Sequence, residues 1–356
     1  QIRIYDSAIS AENVTALYNE IECPAVAVTN AFNTVLYTGN GGTQSVTGTG
    51  FKPDLSWVKN RNTAGNNHNL ADSIRGVNNV IQSNLTAAQY FNSTYQFNSF
   101  DTDGITVTDD AAGNYGFNGN NETYVSWNWK AGGPDVQNTN GTITSQVSAN
   151  VDAGFSIVSW TGNGNDATVG TGLSQQAELV ITKGTANLAT YNTWITYHKD
   201  LSTNYHLYLN TTDSEQNGAG DYFRDSAFTS EVFGLGNDIY GPNVNNTTMI
   251  AYCFHSVAGY SKIGSYTGTG GNQTIYVGFE PRFVLIKRAT GGSLNGWVLS
   301  DSERGAGINL FANTSGTEAN ETAYGPTSFT SSGFTLAQAG GNTNISGSTY
   351  IFMAIA

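Results

Sequence analysis

The sequence predicts an all-β protein, a tandem array of three homologous β-sandwich-like domains with a short N-terminal strand-helix remnant. Three observations carry that expectation. Four short blocks occur three times in one order. Gly, Asn, Thr and Ser dominate, while only 12% of residues are charged and six are Pro. Helix-favouring Ala, Leu, Glu and Lys are sparse after the first 20 residues. Such a profile suits short strands joined by turns in which Gly and Asn accept positive φ.

The blocks run in register. Tyr37-Thr38-Gly39-Asn40-Gly41, Trp160-Thr161-Gly162-Asn163-Gly164 and Tyr266-Thr267-Gly268-Thr269-Gly270 open the copies. Strands ending in Lys59, Lys183 and Lys287 follow, 21 to 23 residues on. Hairpins at Phe100, Phe228 and Phe329 come 41 to 45 residues after those lysines, and a closing apolar strand 20 to 23 residues later still. A unit of about 100 residues can bury its own core, so each copy is expected to be a domain. Period-2 alternation puts Val125, Trp127 and Trp129 on one strand face, with Ile250, Tyr252 and Phe254, then Ile351, Met353 and Ile355, as their equivalents. A face that takes Trp, Tyr or Met at one position fills volume, so these residues read as core rather than a sugar-stacking platform.

Along the chain, residues 1–21 open with an alternating strand at Ile2-Arg3-Ile4-Tyr5. A helix follows, capped by Ser10, with Val14, Leu17 and Tyr18 on one face. One strand and one helix cannot fold alone, so this stretch is expected to belong to something larger. Residues 22–32 around Pro24 read as a linker and 33–131 as the first domain. Residues 132–140 form a second linker, 141–262 the second domain and 263–356 the third.

A net charge of −13, with 14 basic residues scattered singly, disfavours nucleic acid as a partner. No apolar run reaches the length of a membrane span, so membrane insertion is not expected either. Cys23 and Cys253 fall in different units, which indicates neither a disulfide nor a zinc site. Asp101-Thr102-Asp103-Gly104 opens like an oxygen-ligand loop. The same hairpin closes without that pattern as Thr229-Ser230-Glu231-Val232 and Thr330-Ser331-Ser332-Gly333, and Ala112 stands where an EF-hand needs Glu. A plain turn is expected there. The recurring lysines invite a Lys–Asn isopeptide reading with Asn128, but Cys253 and Ala354 at its equivalents cannot react. Lysines with packed stems and ammonium groups in solvent are expected instead. Glu122, Asp109 and Asp110 lack the spacing of a glycosidase pair. His68, His198, His206 and His255 show no Ser/Asp partner pattern. The expectation is therefore no catalytic residue, no cofactor and no metal. Asn-x-Ser/Thr triplets at Asn84, Asn92 and Asn313 follow from composition alone.

Two resemblances extend this reading. Ile2 to Glu12, followed by Ala16-Leu17-Tyr18-Asn19, resembles the closing strand and helix of a laminin-G or concanavalin-A-like lectin domain. The lectin body is absent, so none of its function transfers. The repeat body carries Gly50-Phe51-Lys52-Pro53-Asp54-Leu55, Asp72-Ser73-Ile74-Arg75-Gly76, Phe100-Asp101-Thr102-Asp103-Gly104 and Tyr124 to Gly133. These resemble a repeat of marine tailed-phage virion proteins, which lies downstream of lectin-like domains in fibres or appendages. The third copy follows through Gly278-Phe279-Glu280-Pro281, whereas the second departs at Gln176-Ala177-Glu178. The resemblance implies an extracellular virion structural or adhesion protein, a tail-fibre or capsid-appendage segment that spaces and presents host-contacting surfaces. Its implied partners are copies of itself in a homo-oligomer, other virion proteins and host surface glycan. A secreted bacterial carbohydrate-binding adhesin is the alternative, and a polysaccharide depolymerase ranks below both. Tyr90, Tyr95, Tyr222 and Phe223, in polar aromatic loops, are the expected ligand or partner contacts.

Overall fold

Each closing apolar strand becomes the spine of a sheet, because its alternating side chains can bury on both faces. In the computed structural model, Thr123–Trp129 lies antiparallel between Phe32–Thr38 and Leu55–Asn60. The sheet continues through Asn69–Asp72, Asn79–Gln82 and Tyr90–Phe91. The same order recurs around Thr349–Ile355, flanked by Ser261–Thr267 and Phe283–Arg288 and continued by Val298–Asp301, Ile308–Phe311 and Ala319–Asn320. It recurs again around Thr248–Phe254, where Ser145–Asn150 and Val136–Asn138 add two strands outside Phe155–Thr161. The described residues are 30–91, 96–109, 116–186, 192–217, 222–237, 240–291, 296–337 and 341–356. The N-terminal strand-helix stretch, Cys23, Asn92 and Tyr95 lie outside them.

A smaller sheet covers one face of each large one. In the first repeat it is Thr43–Thr47, Gly104–Thr108 and Gln96–Asp101, and in the third Gln273–Tyr276, Gly333–Leu336 and Pro326–Thr330. The second has a two-stranded version, Ala167–Gly170 with Val232–Leu235. Between the first pair of sheets lie Val46, Val58, Phe97, Ile105 and Tyr124, all buried. The all-β sandwich-like class thus holds, and the helical element among the described residues is the 3-10 turn Asp225–Ala227. Two boundaries move. Val136–Asn138, within the expected linker, pairs with Ser145–Asn150. The expected border between residues 262 and 263 falls inside the strand Ser261–Thr267.

The other face of each large sheet does not meet water. Val125, Trp127 and Trp129 pack into one apolar cluster with Phe155, Ile181 and Tyr252 of the second repeat and Phe283, Met353 and Ile355 of the third. Trp129 shows the convergence: its ring centroid is 5.6 Å from Phe283 and 6.5 Å from Phe254. Each sandwich has its own interior, and the three share a further core between them. Leu55–Asn60 is buried at all six positions for that reason.

Backbone hydrogen bonds close this arrangement into a ring. Gln89 N–H donates to Thr185 O, Glu215 N–H to Ala289 O and Glu318 N–H to Arg61 O, at 3.0, 2.8 and 2.9 Å. Each donor immediately precedes the last strand of its large sheet, and each acceptor lies two residues beyond a repeat lysine. First joins second, second joins third, and third joins first.

Candidate functional site: the three-way junction

Polar side chains follow the same cyclic order. Trp194 Nε1 donates to Gln82 O at 2.8 Å, and Trp297 Nε1 to Tyr208 O at 2.9 Å. His68 takes the tryptophan position in the first repeat, where Trp57 Nε1 donates to its Nδ1 at 3.0 Å. Burial lowers the His68 pKa, so the ring is neutral and can accept that bond.

Lys59, Lys183 and Lys287 are 0%, 0% and 1% exposed. The expected solvated ammonium groups are thus corrected to buried ones, and two of them reach a neighbouring repeat. Lys287 Nζ donates to Thr212 O of the second repeat at 2.9 Å. Lys183 Nζ donates to Asn192 O and lies 3.5 Å from Leu85 O of the first repeat. Lys59 Nζ donates to Asn60 O at 2.6 Å. Burial pulls their pKa values down to about 8 for Lys59 and about 7 for Lys183 and Lys287. Lysine was misread because it is the residue type least often buried. Its in-frame recurrence was the available signal. Asn128, weighed as an isopeptide partner, instead accepts from Ser56 Oγ and Ser126 Oγ at 2.7 and 3.0 Å.

Three versions of one contact sit deeper in the junction. In the first repeat, Asp72 and Arg75 pair at 2.6 Å, and Tyr252 of the second repeat donates its hydroxyl to Asp72 at 2.8 Å. In the third, Asp301 and Arg304 pair at 2.6 Å, and Trp127 of the first donates its indole N–H to Asp301 at 2.9 Å. In the second, His198 and Leu201 replace Asp and Arg, and Met353 stands where Trp127 and Tyr252 stood. His198 is buried, and burial holds its pKa at about 4, so no counter-ion is required.

Two asparagine positions escaped sequence reasoning, because Asn is so abundant that single ones read as turn residues. Asn118, Asn243 and Asn344 are fully buried and accept from the backbone N–H of Asn40, Asn163 and Thr269 at 3.2, 3.0 and 2.9 Å. Each lies five residues before the Thr that opens a closing strand, which was the missed signal. Asn84, Asn210 and Asn313 accept from the N–H of His68, Trp194 and Trp297 at 3.0, 3.0 and 2.9 Å. Two of the Asn-x-Ser/Thr triplets are therefore structural positions.

The expected contact residues scatter. Tyr222 and Phe223 are 8% and 1% exposed, inside the second sandwich, so their role as surface contacts is corrected to packing. Tyr90 is half-buried and donates to Asn69 Oδ1 at 3.2 Å. Asp103 accepts from Gly50 N–H at 2.6 Å, and Asp101 from Ser99 and Thr106 hydroxyls, each at 2.6 Å. The acidic hairpin uses its carboxylates on its own loops. Glu122 accepts from Asn60 at 3.2 Å and from the Thr63 hydroxyl. Cys253 is buried, and burial pushes its thiol well up, leaving it unreactive. All four histidines are buried. Chemically, this arrangement holds three sandwiches together.

A family model described as "Domain of unknown function (DUF7483)" matches residues 27–356, all three repeats within one family domain. No curated protein matches the chain.

Proposed function

We propose that this chain, which belongs to the DUF7483 family, is a structural and adhesive segment of a virion appendage, a tail fibre or capsid attachment. The observation that carries this reading is the use made of residues repeated in frame. Lys183 and Lys287, Trp194 and Trp297, and the Asp72 and Asp301 carboxylates all bond from sandwich to sandwich, while the asparagines brace loops within each repeat. A body closed into a ring around one shared core presents three sandwiches as one unit, which suits an appendage. Weak surface contacts on such bodies gain strength when several copies engage together. The resemblance of the repeat body to marine tailed-phage virion repeats supports the same placement, with homo-oligomer formation and host glycan contact as its consequences.

Electron microscopy of the full chain, alone and on particles that carry it, tests the proposal. Regular fibres or particle-bound appendages are expected. A dispersed monomer that binds a glycan array would favour the secreted adhesin. Release of reducing ends from host polysaccharide would favour the depolymerase.

A further inference from the structure

The triplication supplies an internal control: residues shared by the repeats serve the fold, and clustered residues peculiar to one repeat call for another reason. One such cluster, Lys52, Asp54 and Lys130, lies at the base of the first sandwich, where with Val77 and the shared Ser73 and Phe100 it lines a cleft of about 450 Å³. This volume falls in the range of about 300–1,000 Å³ typical of small-ligand sites.

Equivalent backbone bonds fix the comparison. Asp54, Glu178 and Arg282 each donate their N–H to the last residue of the closing strand, Trp129, Phe254 or Ile355. In the second repeat, Lys199 occupies the position of Ser73 and pairs with Glu178 at 2.6 Å, while Ser256 N–H donates to the same carboxylate at 2.8 Å. That carboxylate is neutralised from within. In the third repeat the carboxylate is replaced by Arg282. In the first, Asp54 accepts Ala131 N–H at 2.8 Å, and the smaller Ser73 leaves the hollow open. The cations stand at its rim as exposed Lys52 and Lys130, whose counterparts are Gln176 and His255, then Glu280 and Ala356. Neither lysine is demanded by the shared architecture.

The far wall is built to stay in place. Gly132 N–H donates to Ser148 Oγ at 3.0 Å, and Ser148 Oγ donates to Gly133 O at 2.7 Å. A Cβ on Gly132 would stand 2.5 Å from Ala149 O, so only glycine permits this approach. Val77, 36% exposed, and Phe100 give the cleft an apolar surface. Burial raises the Asp54 carboxyl pKa, while the Ala131 N–H bond and the Lys52 charge act to lower it.

We propose that this cleft binds a carboxylate-bearing sugar. The Lys52 and Lys130 ammonium groups pair with its carboxylate, Asp54 accepts from one of its hydroxyls, and Val77 and Phe100 pack against the apolar face of its ring. The site deepens the proposed function by naming the class of glycan contacted, and it rests on that reading only for the sugar's source.

The test is calorimetric titration of the full chain with sodium glucuronate, glucose and sodium acetate. Saturable glucuronate binding is expected, with glucose and acetate each weaker by about tenfold or more, the loss of one charge-assisted or several neutral contacts. The K52M/K130M variant alters two exposed side chains and should lower glucuronate affinity about tenfold or more, with Asp54→Asn as a second probe of the hydroxyl contact. Acetate binding as tight as glucuronate would reduce the cleft to an anion site and overturn the proposal. So would absence of saturation, or unchanged affinity in the double variant. Normal appendages formed by K52M/K130M, with sugar affinity lost, would separate this site from the structural role. Sugar affinity without assembly would instead count against the structural role alone.

Discussion

Trp127 of the first repeat donates its indole N–H to Asp301 of the third across 174 residues of sequence, at 2.9 Å. Asp301 holds Arg304 at 2.6 Å, and the Arg304 guanidinium lies 5.2 Å above the Trp127 ring. The triad is buried, so each member depends on the others. Asp301→Ala leaves Arg304 uncompensated in a dry site and should cost about 3–5 kcal/mol in urea unfolding. Asp301→Ala with Arg304→Met removes both charges and should recover part of that loss. Equal destabilisation by the single and double variants would contradict the coupling.

The three buried repeat lysines give stability an unusual pH dependence. Their folded pKa values, about 7 to 8, lie below the usual 10.5. Below about pH 7 the folded state must bury charged ammonium groups, and that cost is fully present. Between pH 7 and 10 the unfolded chain holds more lysine protons than the folded one, so stability rises with pH. Above about pH 10 the buried tyrosines Tyr37, Tyr252 and Tyr266, whose pKa values are raised by burial, reverse the slope. Denaturant midpoints measured from pH 6 to 11 should therefore peak near pH 9 to 10. The triple variant K59M/K183M/K287M should flatten the rise. A wild-type midpoint that falls from pH 7 to 9 would contradict this.

Asn118, Asn243 and Asn344 each satisfy backbone groups that no other side chain in their loops replaces in kind. Asn118, for example, also donates to Gly42 O at 2.8 Å. Substitution of any one by Ala should cost about 1–3 kcal/mol. The three lie in separate loops, so the losses should add within about 0.5 kcal/mol. Chemical denaturation of single and triple variants gives the comparison.

Much of the fold was legible because period-2 apolar alternation and turn residues are local signals. The strand face carrying Val125, Trp127 and Trp129 was readable as buried, and it is. What covers that face was not readable. Alternation reports that a side chain leaves water, and a neighbouring sheet of the same sandwich or of another repeat produces the same pattern. The lysines were misplaced for a related reason: a seam of carbonyl acceptors such as Thr212 O has no sequence signature. Tyr222 and Phe223 sit among polar residues in the sequence but point into the second sandwich. The cleft at Lys52 and Lys130 combines residues far apart in the chain with a glycine wall, and only the folded comparison of repeats singles it out.

The central claim is that three sandwiches close on one shared core. Small-angle scattering of the full chain tests it most directly. A closed body of this length should have a radius of gyration of about 20 Å, whereas three separate units strung end to end would give about 30 Å. The compact value is what the ring of seams requires; the extended one would show the repeats standing apart and would contradict the account.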